Sequence, residues 1–231
     1  TTRQNHQSLK VQRPLLARKK AVPTVVGDGT TLYGEVTYST LMDDQTNPED
    51  AIKWGLYSFK AQSGTDFTSK LIHKSICANG GGTYANGKLY FTSYYEGMDG
   101  NLGYLYFCVL DLATMNMNQI ALHSDYYTSI ATDMTYDPVG NTIYSQAYPD
   151  DANTSTDWKY TLSTVNPATG IASRIAQLDR MSMIACDESG NLYGVRYNDG
   201  MFCSIDKQTA KVKEIGLTGV NPKYNASGTF D

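Results

Sequence analysis

The chain has 231 residues, 41% of them apolar, and a formal net charge of −4; no run approaches the ~18 consecutive apolar residues that a membrane-spanning helix needs. Six basic side chains (Arg3, Lys10, Arg13, Arg18, Lys19, Lys20) and no acid fall in residues 1–27, so of 19 basic and 23 acidic residues the remainder holds 13 against 23, a net −10. An acidic body repels phosphate backbones, which argues against a nucleic-acid partner.

Residues 1–21 read as a basic, solvated tail. The sharper reading of the same charge is contact with an anionic lipid surface beside an anchor. From residue 22 onward the chain repeats itself. "VVGDGTTLYGEVTY" (25–38), "GTYANGKLYFTSYY" (82–95), "MTYDPVGNTIYSQAY" (134–148) and "MIACDESGNLYGVRY" (183–197) each read as a strand, a turn and a strand with a central tyrosine. Those tyrosines are Tyr33, Tyr90, Tyr144 and Tyr193, spaced by 57, 54 and 49 residues.

A second half follows each copy. "LYFCVLDLATMNMNQIAL" (105–122), "YTLSTVNPATGIASRIAQL" (160–178) and "MFCSIDKQTAKVKEIGL" (201–217) put an Asp or Asn in a turn, with Thr three residues later, between two strands. Asp111, Asn166 and Asp206 can each accept hydrogen bonds from the backbone just ahead of them. In the first copy, "LYSFKAQSGTDFTSKLI" (56–72), Lys60 stands where the acid would be. Four short alternating strands recurring about every 50 residues are the signature of a β-propeller blade. The expected fold is therefore all-β: about four four-stranded blades (22–73, 74–123, 124–179, 180–218) and the start of a fifth at 219–231.

"SGTFD" (227–231) aligns with "DMTYD" (133–137) and "MIACD" (183–187), the inner strands of two earlier units. Two arrangements stay open for it. It can begin another blade of a larger propeller, which is the expectation, or it can complete the first blade beside 31–36 in place of an inner strand at 22–26. Cys77 and Cys186 fall at inner strands, Cys108 and Cys203 on third strands. First and third strands of one blade lie about 9.5 Å apart, too far for a disulfide. Free thiols are expected.

The unit from Ala185 to Gly216, "A-x-D-x-x-G-N-L-Y-G-V … S-I-D-x-x-T-x-x-V-x-x-I-G", resembles the propeller repeats of secreted and surface-attached bacterial proteins, especially those of gut Bacteroidetes. The likeness covers residues 22–231. It implies the architecture, an extracytoplasmic (secreted or outer-surface) location and a lipid anchor or cleaved signal upstream of the mature N-terminus. It carries over no functional residue, because the repeat residues build blades, and fold alone does not give function.

Chemistry-bearing motifs are few. His6, His73 and His123 are scattered, and no nucleophile elbow or phosphate loop is present. "ANGGGTYANG" (78–87) reads as entry into an inner strand where close packing selects small residues. Asp133 is the one inner-strand acid without a turn role; Asp137 and Asp187 read as turn-formers. No catalytic residue, metal or cofactor is assigned. Asp151, Asn153, Ser155 and Asp157 alternate as calcium ligands do, but Thr156 and Leu162 stand where a calcium loop has Gly and Glu, so calcium there stays open.

The long connections between second and third strands (39–54, 96–103, 149–158, 198–200) open on one face of a propeller, and all carry acids and are flanked by aromatics. Blade architecture does not require length there, so a binding face is the functional reading. The candidate ligand-binding residues are Tyr95, Glu96, Asp99, Tyr148, Asp150, Trp158, Tyr197 and Asp199. Flat rings beside carboxylates and amides suit a glycan or a protein ligand. A non-enzymatic carbohydrate- or protein-binding module is the first expectation. A carbohydrate-active hydrolase or lyase with acids in further blades is the second, and a structural subunit of a surface complex the third.

Overall fold

The computed structural model describes residues 31–36, 55–60, 69–73, 80–96, 102–122, 131–147, 160–220 and 222. Every regular element among them is a strand. The second, third and fourth strands of the first blade are β1 (Thr31–Val36), β2 (Gly55–Lys60) and β3 (Ser69–His73). Blade two is β4 (Gly82–Ala85), β5 (Lys88–Glu96), β6 (Leu102–Asp111) and β7 (Met117–Ala121). Blade three is β8 (Ala131–Asp137), β9 (Thr142–Ala147), β10 (Tyr160–Val165) and β11 (Ala172–Leu178). Blade four is β12 (Met181–Cys186), β13 (Leu192–Arg196), β14 (Met201–Ile205) and β15 (Val212–Leu217). Each sheet is an antiparallel meander, and the four sheets are blades of a β-propeller. The segments 22–26 and 227–231 lie outside the described residues, as do the tail and Cys77.

The repeat seen in the sequence is a repeat of register. Tyr33, Tyr90, Tyr144 and Tyr193 each sit in the second strand of their blade, opposite Ser58, Val109, Thr164 and Ser204 of the third. The turn acids work locally. Asp111 Oδ1 accepts from the backbone N–H of Ala113 and Thr114 and from Thr114 Oγ1; Asp206 Oδ1 accepts the same three bonds from Gln208 and Thr209. Asn166 Oδ1 accepts from Ala168. Each such turn closes through a residue in the left-handed region: Met115 (φ 59°), Gly170 (φ 72°) and Ala210 (φ 56°). Only the middle one is glycine. There a Cβ would run into the Phe107 side chain of blade two.

The core lies between blades rather than within them. Phe107, Ala131, Met134, Ile143 and Val165 close the seam between blades two and three; Leu162, Leu178, Met181, Ile184, Leu192 and Ile205 close the one between three and four. Alternation explains this: one side of each strand faces the preceding blade and the other faces the next. Near the axis, Gly81 approaches the main chain of Asp133 so closely that a Cβ would collide with it, and its N–H donates to Ala131 O at 2.8 Å. The glycine run before β4 is thus a packing feature. Cys108, Cys186 and Cys203 are free thiols, and burial, the largest influence, pushes the Cys186 thiol up to about 11.

Candidate functional site

Antiparallel succession puts the first-to-second and third-to-fourth turns at one end of every blade, and the second-to-third loops and blade-to-blade connections at the other. Of the eight candidate residues, Tyr95 and Glu96 end β5, where their main chains pair with Tyr104 and Leu102. Asp99, Tyr148, Asp150 and Trp158 lie outside the described residues, as does the 151–157 segment considered for calcium. Tyr197 and Asp199 are described together with their surroundings.

Tyr197 follows β13, and its N–H donates to Arg180 O at 3.0 Å. The Arg180 guanidinium lies over the Tyr197 ring, 3.5 Å from its centroid, and 5.3 Å from the ring of Tyr160. Tyr160 opens β10 directly after the long loop of blade three, and Arg180 sits in the connection from blade three to blade four. A Tyr–Arg–Tyr group therefore spans two blades at the loop end, where stacking of cation on ring is favourable. The sequence reading missed Arg180 because it searched second-to-third loops and passed over blade-to-blade connections, which emerge at the same end; it missed Tyr160 because that residue stands just past the searched loop, as the first residue of β10.

Asp199 is engaged differently from a bare rim acid. Arg196 Nη2 lies 2.6 Å from Asp199 Oδ2 and 2.7 Å from Glu214 Oε1, and Met201 N–H donates to Asp199 Oδ1. The Arg196 guanidinium and the Met201 N–H hold the Asp199 carboxyl below the usual carboxylate range. The acid fastens its own tight turn.

The inner-strand acids also have structural partners. Asp133, 1% exposed, accepts from Met134 N–H at 3.0 Å and from Ile184 N–H of blade four at 2.8 Å. Thr135 Oγ1 accepts from Cys186 N–H at 2.8 Å, and Gln146 accepts from Met181 N–H and donates to Met181 O. These three side chains cap the edge of β12 that β13 leaves open. Asp137 accepts from Val139 and Gly140 N–H and pairs with Lys207 of blade four at 2.6 Å. Burial works against its ionised form most strongly, but those two N–H groups and the Lys207 ammonium outweigh it and hold the carboxyl below its ordinary value. Among the described residues, no group of three or more His, Cys, Asp or Glu side chains is placed to hold a metal ion.

The repeat, the register and the blade seams define the class of protein as a β-propeller. No protein-family model and no curated protein matches the sequence. Among solved structures the chain is similar to a gluconolactonase from Xanthomonas campestris (12% identity, 71% of this chain and 56% of that one, TM-score 0.47). It is also similar to a Bacteroides thetaiotaomicron protein of unknown function (13% identity, 73% and 46%, TM-score 0.39). A third is a calcium-binding regucalcin from Agrobacterium tumefaciens (12% identity, 76% and 70%, TM-score 0.34). The chain spans about half the length of the first two. At these identities the likeness is one of fold.

Proposed function

We propose that the chain is an extracytoplasmic binding module whose loop face recognises a glycan or a protein ligand, a glycan being the favoured class. The observation that carries this reading is the Arg180 guanidinium stacked on the Tyr197 ring and within cation–π reach of Tyr160. It orders the loop end of blades three and four before any ligand arrives, and a preorganised site avoids the ordering cost of binding. Aromatic faces beside carboxylates and amides match the alternating C–H and hydroxyl surfaces of a sugar ring. A carbohydrate-active enzyme is the second reading. Asp133, the inner acid singled out for it, is buried and accepts two backbone N–H groups, so such an enzyme would draw its acids from elsewhere. A glycan array probed with the intact chain, followed by titration of a Trp158→Ala variant, tests the proposal.

A further inference from the structure

The end of the propeller opposite the long loops carries a cleft of about 480 Å³ between blades two and three. That is within the ~300–1,000 Å³ typical of small-molecule sites. Asn86, in the first turn of blade two, and Asn141, in the first turn of blade three, stand on its rim with backbones in the left-handed region (φ 51° and 47°). The Tyr136 hydroxyl joins them. It accepts from Asn86 Nδ2 at 3.3 Å and donates to Asn141 Oδ1 at 2.9 Å. Tyr90, Thr142, Thr164, Asn166 and Ser173 add to the polar lining, with Ile143, Val165 and Pro167 as apolar surface.

Among the described residues, none that lines the cleft is charged. An anion would find no cation there, and a cation no carboxylate. The lining instead mixes donors, acceptors and flat apolar surface. The Tyr136 bridge leaves Asn86 Oδ1 and Asn141 Nδ2 outside its own bonds, so one acceptor and one donor flank the phenol. Asn166 uses Oδ1 on Ala168 N–H, which leaves its Nδ2 as a donor. Paired donors and acceptors above aromatic and aliphatic surface are what a neutral polyhydroxylated ligand requires. We infer that this cleft is a second binding site, on the tight-turn face, for a neutral sugar or polyol. The inference stands independently of the loop-face proposal, since the two sites lie at opposite ends of the blades.

NMR of the side-chain amides of the intact chain tests it, with D-glucose, cellobiose and myo-inositol as probes and glucuronate as the charged comparison. The expected result is saturable shifts at Asn86, Asn141 and Asn166 with at least one neutral probe and none with glucuronate. Tyr136→Phe, which removes the bridge, should weaken that binding roughly tenfold, as loss of a ligand-ordering hydrogen bond of ~1.4 kcal/mol would. Ser173→Tyr, which fills the cleft from an exposed position, should abolish it, and Trp158→Ala should leave it unchanged. No shift at these amides up to the solubility limits of the sugars would overturn the inference. So would equal binding of glucuronate, or loss of the shifts in Trp158→Ala alone.

Discussion

Asp133 in the inner strand of blade three accepts the backbone N–H of Ile184, in the inner strand of blade four, at 2.8 Å. The bond crosses a blade boundary and 51 residues of chain. Together with Thr135 to Cys186 and Gln146 to Met181, it means that one blade supplies side-chain acceptors for the open strand edge of the next. An uncapped edge strand presents unpaired backbone groups. Here side chains of the preceding blade pair the N–H groups of Met181, Ile184 and Cys186.

Removing these acceptors should therefore destabilise the protein more than the lost side-chain volume would suggest. Gln146→Leu adds apolar surface yet leaves the Met181 N–H and C=O without their buried partner, and Asp133→Ala leaves the Ile184 N–H without its acceptor. Each should cost about 2–3 kcal/mol in urea denaturation, with Asp133→Asn milder because one acceptor survives. A Gln146→Leu variant as stable as the parent would show that the seam is held by packing alone.

The Lys207–Asp137 pair ties the same two blades on the tight-turn face, and Lys207 Nζ also donates to Gly190 O at 2.7 Å. The Asp137 carboxyl is held below its ordinary value, so its contribution is present above about pH 4 and lost as pH falls through the depressed native value. The Asp137 carboxylate raises the Lys207 ammonium, so its contribution is present below about pH 10.4 and lost as pH rises through the raised value. Lys207→Met should be less stable by about 1–2 kcal/mol between roughly pH 5 and 9, a figure reduced for the partial exposure of Lys207. The gap should narrow on both sides of that window. A gap independent of pH would assign the effect to the lysine stem.

The central tyrosines and the Asp–Thr turns were legible in the sequence because blade geometry imposes them locally, within a few residues, and repeats them. The seam was not. Asp133 looked like an acid in search of a task because its partner is 51 residues away and the neighbouring units have Gly81 and Met183 in its place. The cleft was hidden for a related reason: Asn86 and Asn141 are adequately explained by the turns they form, and only the third dimension brings them to one phenol. Of the eight loop-face candidates only Tyr197 and Asp199 are described with their side chains; Arg180, which stacks on Tyr197, was missed because it lies in a two-residue connection between blades, and Tyr160 because it reads as the first residue of a third strand.

The third-to-fourth turns offer a test of blade equivalence. Met115, Gly170 and Ala210 occupy one left-handed position in three blades. Met115→Gly should be neutral or stabilising by up to ~1 kcal/mol, because the left-handed penalty of a side chain is relieved in an exposed turn. Gly170→Ala should cost about 3 kcal/mol, combining that penalty with a collision at Phe107. Thermal or urea denaturation of the two variants reads the difference directly, and equal effects would mean the turns are not equivalent.

The loop-face proposal is tested most directly by titrating the parent chain and Trp158→Ala with a glycan selected on an array, and measuring the melting temperature of both. The predicted result is a glycan bound by the parent and about thirtyfold more weakly by the variant, the ~2 kcal/mol that a central aromatic anchor contributes, with melting unchanged. An array with no glycan retained would contradict the favoured glycan class; a variant that binds as the parent does but melts much lower would contradict the loop-face reading itself, making Trp158 a packing residue and the loops mere connections.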